Sequence, residues 1–135
     1  MDSSTLRSPI EALTPPKPIC VAKGTSMREV VQIMKDNHIG CVCVVENRNL
    51  VGIMTERDVL TKVIAANLDL QQTLVEEVMT ADPEYLFVDD QIAYALNRMH
   101  VGGFRHVPLI NLKGSPTGVI SVRDILGYLV KNIVG

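Results

Sequence analysis

Apolar residues recur along the chain with two distinct periods, and the alternation of those periods happens twice. Met27, Val30, Val31 and Met34 fall at i, i+3, i+4 and i+7, which is one face of a helix. Ile92, Ala95, Leu96 and Met99 repeat that spacing 65 residues later. The pattern predicts helices over about 26–36 and about 91–100. A short apolar run precedes each helix, at residues 19–22 and 85–88, and reads as a strand. Two further runs follow each helix, 41–45 with 50–54 and 105–110 with 117–120. The segments between them, 46–52 and 111–118, are rich in Asn, Gly, Ser and Pro and predict hairpins. A second helix closes each half. Its apolar positions are Val59, Leu60, Val63 and Ile64 in one half and Ile125, Leu126, Leu129 and Val130 in the other, with Ile133 and Val134 extending the stripe.

Each half therefore reads β-α-β-β-α, an α/β (α+β) arrangement repeated in tandem. The expected division is an N-terminal segment 1–11, a first domain 12–66, a crossover linker 67–77 and a second domain 78–135. The offset changes from 65 to 66 residues between the helix and the segment after the hairpin, so one extra residue is expected in the second hairpin loop. A half of about 55–60 residues buries too little surface to be stable alone. Two halves packed together share a core, and the repeat implies a pseudo-two-fold module with equivalent clefts at the junction.

The clearest repeated motif is GIMTERD (Gly52 to Asp58) against GVISVRD (Gly118 to Asp124), at a strand-to-helix junction. Two readings compete. Thr55 with Asp58 and Ser121 with Asp124 match a helix capping box with Asp at its third position, a cap worth about 0.5–2 kcal/mol. A cap does not require Arg57 and Arg123, and a cation in the first turn opposes the helix dipole. An anion accounts for the arginines, because a helix start is an anion site and guanidinium binds phosphate. The Asp beside it is suited to accept from ribose hydroxyls.

Composition narrows the classes. The chain has 135 residues, 47% hydrophobic and 21% charged, which fits a folded domain and not a disordered one. A net charge of −2, no Trp, three Tyr and two Phe give no support for nucleic-acid binding. No apolar run approaches the ~18 residues of a membrane span, and the polar start lacks a secretory signal. The expectation is a cytoplasmic protein away from membranes. Three cysteines fit reduced thiols better than a disulfide framework. Cys41-x-Cys43 near His38 lacks the usual metal-ligand spacing, so core packing is expected and no metal. Gly102-Gly103 reads as a helix-ending turn, His100 as a residue of the helix end, and Asp89-Asp90 as a helix start and cap. No arrangement of Ser, His, Asp or Cys supports covalent catalysis, so no enzyme and no catalytic cofactor are expected.

The two β-α-β-β-α repeats with GIMTERD and GVISVRD resemble a tandem pair of cystathionine-β-synthase (CBS) domains. VMTADPEYLFVDD (Val78 to Asp90) and the Val107-Pro108-Leu109-Ile110 strand support the resemblance, which covers about residues 12–134. It implies a regulatory module that binds an adenosine-containing ligand: AMP, ADP, ATP, S-adenosylmethionine or NAD. It also implies that Asp58 and Asp124 hold ribose hydroxyls, that Thr55 and Ser121 contact ribose or phosphate, and that Arg57 and Arg123 reach phosphate. Arg105 and His106 stand where some members carry a phosphate-facing His-Arg pair, here in reversed order; the first repeat has Gly40-Cys41 instead. The two sites are therefore expected to differ. Apolar slots for adenine are expected from Ile19, Cys20, Val21 and Ile53 in the first half and Tyr85, Leu86, Phe87 and Val119 in the second, residues that equally suit core strands. The family's second helices imply a homodimer, and with no effector domain in this sequence the expectation is either a signal passed to a protein partner in trans or a sequence that is a fragment of a larger protein. The rival reading is a structural dimerisation module with vestigial clefts.

Overall fold

A computed structural model describes residues 3–134. A short helix α1 (Ser3–Arg7) and a 3-10 turn (Ile10–Leu13) lead into the first repeat. That repeat comprises β1 (Cys20–Ala22), α2 (Met27–Asn37), β2 (Cys41–Glu46), β3 (Asn49–Thr55) and α3 (Glu56–Asp58). α3 continues as π-helical turns over Val59–Ile64. The crossover carries α4 (Val75–Val78) and β4 (Thr80–Ala81). The second repeat has α5 (Ile92–Gly102), β5 (His106–Ile110), β6 (Pro116–Ser121) and α6 (Val122–Val134). The side chains of Ile133 and Val134, expected to extend the apolar stripe, lie outside the described residues. No helix among the described residues is long and apolar enough to cross a membrane.

Strand order in the larger sheet is β1-β2-β3-β4, with β1 parallel to β2 and the other pairs antiparallel. β5 and β6 form an antiparallel pair. The two hairpins carry a register shift at equivalent places, Val44/Val45 and Leu109/Ile110. The extra residue of the second repeat lies at the hairpin tip, as expected. The first hairpin closes through Asn47 and Arg48, both at positive φ (51° and 68°), the backbone of a type I′ turn. The second is longer, and the Asn111 Oδ1 accepts from the backbone N–H of Lys113 (2.9 Å) and Ser115 (3.1 Å).

Three local expectations are corrected. Residues 85–88 do not form a strand: only Leu86 pairs, with Leu109. The chain turns away at once because the Asp90 carboxylate accepts from the Phe87 N–H (2.8 Å) and the Phe87 carbonyl from the Asp90 N–H (3.0 Å). For the same reason Asp90 does not cap α5; its N-cap is Gln91, which makes no side-chain cap bond. The second helix of the first repeat is not a regular α-helix. Its turns widen after Asp58, where the Thr61 hydroxyl donates to the Arg57 carbonyl (2.8 Å) and competes for a backbone acceptor.

The alternating residues of each sheet split between two destinations. Val42, Val44 and Met54 join Val21, Met27, Val30 and Met34 in a first core. Val107, Leu109 and Ile120 join Ile92, Ala95, Met99 and Ile125 in a second. On the opposite face of β2 and β3, Cys41, Cys43 and Ile53 are also buried, where β3 approaches β5.

The segments leading into the repeats are exchanged between these cores. Ile10 is fully buried in the second core, and Leu6 and Leu13 pack against it. Ile10 N–H donates to Asp90 O (2.8 Å), and Ile92 N–H donates to Ser8 O (2.9 Å). At the equivalent place 65 residues on, Val75 and Val78 enter the first core. There Met27 N–H donates to Thr73 O and Val75 N–H to Thr25 O, both at 2.8 Å. Each lead-in then crosses the sheet edge of the repeat it does not begin. β4 pairs with β3, whereas Pro15-Pro16 lacks N–H donors and offers only the Pro16 carbonyl to Val119 N–H (3.4 Å). These crossings explain the glycine that opens each motif. A Cβ on Gly52 would strike the Met79 side chain, and one on Gly118 would lie 3.3 Å from Leu109, Pro15 and Pro16 atoms.

Ile10→Ala should lower unfolding free energy by about 2–5 kcal/mol. Native-state hydrogen exchange should show faster opening of α5 and β5 than of α2 and β2; the reverse order would show that Ile10 stabilises the first repeat instead.

Candidate functional site

Two clefts lie at the junction of the repeats, and each draws one wall from each repeat. The first, about 500 Å³, takes Ile53 and the Thr55–Asp58 segment from the first repeat. Thr80, Pro83, Glu84 and residues 103–106 close it from the crossover and the second repeat. The second, about 790 Å³, takes Val119 and the Ser121–Asp124 segment from the second repeat. Residues 16–19 and 38–41 close it from the first. This placement follows from the exchanged lead-ins, which bring 80–84 beside β3 and 16–19 beside β6.

The motif side chains form the expected caps. Thr55 Oγ1 accepts from Asp58 N–H (3.1 Å), and Asp58 Oδ2 accepts from Thr55 N–H (3.2 Å). Ser121 and Asp124 do the same at 3.1 and 2.8 Å. A cap thus uses one carboxylate oxygen of each aspartate. The other oxygen of Asp58 pairs with Lys62 Nζ at 3.2 Å, and Lys62 also reaches Thr80 Oγ1 at 3.4 Å. Asp124, exposed at the second cleft, has no ion pair among the described residues. The capping geometry leaves the arginines unexplained: among the described residues, Lys17, Arg57, Arg105 and Arg123 make no ion pair, and all four line a cleft. Glu84 is held by Arg98 of α5, through Arg98 Nε and through Nη2 at 3.2 Å.

Glu56, Arg105 and His106 line both clefts and form the partition between them. The Glu56 carboxylate rests against Gly40, where a Cβ would collide with it, and His106 Nε2 lies 3.5 Å from that same Cβ position. Burial holds the half-buried His106 imidazole below its ordinary pKa of 6.5, with Arg105 acting in the same direction and Glu56 and Asp124 opposing it.

The residues singled out from the sequence divide three ways. Ile53, Thr55, Arg57 and Asp58 come together in the first cleft, Ile19, Val119, Ser121, Arg123 and Asp124 in the second, and Arg105 and His106 in both. Ile19 and Ile53, grouped by half in the sequence, thus belong to different clefts. Val21 and Leu86 are buried in the two cores and line neither cleft. Cys20, Tyr85 and Phe87 also lie outside the cleft linings; the rings of Tyr85 and Phe87 pack edge to face, with centroids 5.8 Å apart. His38 is exposed at the left-handed C-cap of α2, while Cys41 and Cys43 are buried in β2. Gly103 ends α5 at φ 69°, as the sequence implied, and His100 lies in its last turn. Sequence reasoning missed Glu56, Lys62, Glu84 and Lys17. Glu56 stood inside the motif and Lys62 one helical turn after Asp58; Glu84 and Lys17 carried no local signal, because their lead-ins reach the clefts through tertiary packing.

A depressed histidine pKa contributes stability that is present above pH 6.5 and is lost as pH falls through the folded-state value. Denaturant unfolding at about pH 7.5 and about pH 5 should show a larger loss for the wild type than for His106→Gln. Equal losses would remove His106 from the acid response.

The family model for the CBS domain matches residues 10–65 and 75–131. CBS domain-containing protein CBSCBSPB3 of Arabidopsis thaliana is 34% identical over 121 residues, 90% of this chain. The chain spans 20% of the length of that plant relative. A CBS domain protein of Pyrobaculum aerophilum complexed with AMP superposes with a TM-score of 0.82 at 23% identity, covering 94% of this chain and 99% of that one. The CBS domain pair of protein MJ0100, in complex with 5′-methylthioadenosine and S-adenosyl-L-methionine, superposes with a TM-score of 0.84 at 21% identity, covering 93% and 98%. At those identities the two structures establish the fold. With both repeats matched and the two-cleft architecture in place, the chain belongs to the CBS domain family as a tandem pair.

Proposed function

We propose that this CBS pair is a regulatory module that binds an adenosine-containing ligand in the clefts between its repeats and passes the signal to a protein partner. The carrying observation is the group of cations at the clefts that make no ion pair among the described residues, Arg57 and Arg105 at one and Lys17, Arg105 and Arg123 at the other. Each group sits beside a helix start with a hydroxyl and an aspartate, which suits phosphate and ribose together. The volumes fall within the range of small-molecule sites, about 300–1,000 Å³. The AMP, methylthioadenosine and S-adenosylmethionine held by the two solved relatives support the ligand class. AMP, ADP, ATP, S-adenosylmethionine and NAD are the ligands to compare. The clefts differ because Lys62 already pairs with Asp58 in the first, whereas Asp124 of the second makes no ion pair among the described residues. The module senses and does not catalyse in this reading, and its action is placed in the cytoplasm, away from membranes and nucleic acid.

A dimerisation module with vestigial clefts is the second reading. The complete caps favour it, since they account for the hydroxyl and one carboxylate oxygen of each motif by folding alone. Both readings share a homodimer built on the second helices, where Leu60 (63%), Ile64 (55%), Leu126 (59%) and Val130 (50%) are exposed at matching positions.

Thermal unfolding with each adenosine ligand, and with GTP as control, separates the two readings. Ligand at about 100 times Kd adds roughly 2.7 kcal/mol, a rise on the order of 5–10 °C. Asp58→Asn and Asp124→Asn retain an oxygen for the cap and should each lose binding at their own cleft. No shift with any ligand, in protein free of co-purified nucleotide, would leave the dimerisation reading. Light scattering should give a dimer mass for the wild type and a monomer mass for Leu60→Glu combined with Leu126→Glu; a monomeric wild type would rule out the dimer.

A further inference from the structure

Cys20 and Cys43 face each other across two adjacent strands. Cys20 of β1 is in register with Cys43 of β2, and the strands are parallel. Neighbouring strands lie about 4.7–4.9 Å apart, inside the 4.4–6.8 Å Cα separation that disulfides span. In-register residues share one face of the sheet, so the two thiols lie close enough for each to perturb the ionisation of the other. The Cys43 N–H also donates to the carbonyl of Ile19, the residue before Cys20, at 2.9 Å, which holds the two strands together at this point.

The two sulfurs have different surroundings. Cys20 is exposed and Cys43 is fully buried. The neighbouring Cys43 thiol brings the Cys20 thiol down to about 7, against the opposing effect of burial. The same proximity and burial push Cys43 up. Cys41 is buried too, its thiol reaches the Val42 carbonyl at 3.8 Å, and burial with the nearby Asp58 charge raises it to about 12. Only Cys20 therefore combines access with thiolate character, the two conditions for reaction with an oxidant.

We propose that Cys20 and Cys43 form a peroxide-sensitive dithiol that closes to an intrachain disulfide, with Cys20 the reacting sulfur and Cys43 the resolving one. The Cys20 thiolate attacks one oxygen of hydrogen peroxide; an S–O bond forms, the O–O bond breaks, and the departing hydroxide takes a proton to become water. Cys43 then attacks the Cys20 sulfenic acid. The S–S bond forms, the S–O bond breaks, and hydroxide leaves with the Cys43 proton as a second water. Two thiols lose two electrons and one peroxide becomes two waters. The bond ties edge strand β1 to β2 one residue from Ile19, which lines the second cleft. The inference stands without the ligand assignment.

The test is peptide mapping of the reduced full chain after one equivalent of hydrogen peroxide, with N-ethylmaleimide blocking before digestion. Free thiols should fall from three to one, with Cys20 and Cys43 linked, Cys41 alkylated, and dithiothreitol restoring all three. Thiol loss in Cys20→Ser should slow at least about 10-fold, and Cys43→Ala should leave a Cys20 sulfenic acid that dimedone traps. Should Cys43→Ala fail to fold, the wild-type map decides alone. A Cys41–Cys43 bond, a Cys20–Cys20 bond between chains, or three thiols surviving the peroxide would overturn the proposal.

Discussion

Ile10 and Val75 stand 65 residues apart and are both fully buried, each in the core of the repeat that it does not begin. Burying such a side chain contributes about 1.5–3 kcal/mol relative to leaving it in water. Neither repeat has enough apolar surface of its own to be secure alone, so each completes its core with the other's lead-in. The exchange ties the repeats together covalently and sterically at once. It also sets their relative position, because each lead-in must run on from the foreign core across the foreign sheet edge to reach its own first strand.

The clefts are a consequence of that crossing. Where the lead-in passes over β3 or β6, the strand must carry a residue with no side chain, and Gly52 and Gly118 meet that need. Three residues later the strand ends in a hydroxyl that caps a helix. The cap stops the strand and turns the chain, so the arginine and aspartate of the first turn come to the opening beside the lead-in. The hydroxyl and aspartate are thus held by folding energetics alone, and the cap and ligand readings of the motif describe the same atoms at different valences. The arginines are what the cap does not use.

The partition between the clefts departs from strict symmetry. Gly40 and Cys41 of the first repeat face the place where Arg105 and His106 stand in the second. The missing side chain at Gly40 admits the Glu56 carboxylate, and burial lowers the His106 pKa, which favours the neutral imidazole. The glycine thus makes room for a charged group in the wall between the two sites.

Residues Met27 to Met34 and Ile92 to Met99 reveal the repeat and its helices through apolar spacing alone, because a helix shows its buried face every three or four residues. The motif was legible for the same local reason: a capping box is written within four residues. The strand expected at 85–88 was lost to a turn made by Asp90, a contact that strand propensity does not encode. The partners of each cleft were not legible either. Ile19 and Ile53 look equivalent to neighbours in the sequence, yet exchange of the lead-ins sends them to different clefts. Local spacing and caps by themselves determined the repeat, most of its elements and the side chains that its motif holds at each helix start. Which residues face one another was decided by tertiary structure, because the burial of Ile10 and Val75 is a bargain between segments far apart in the chain, and no local pattern records it.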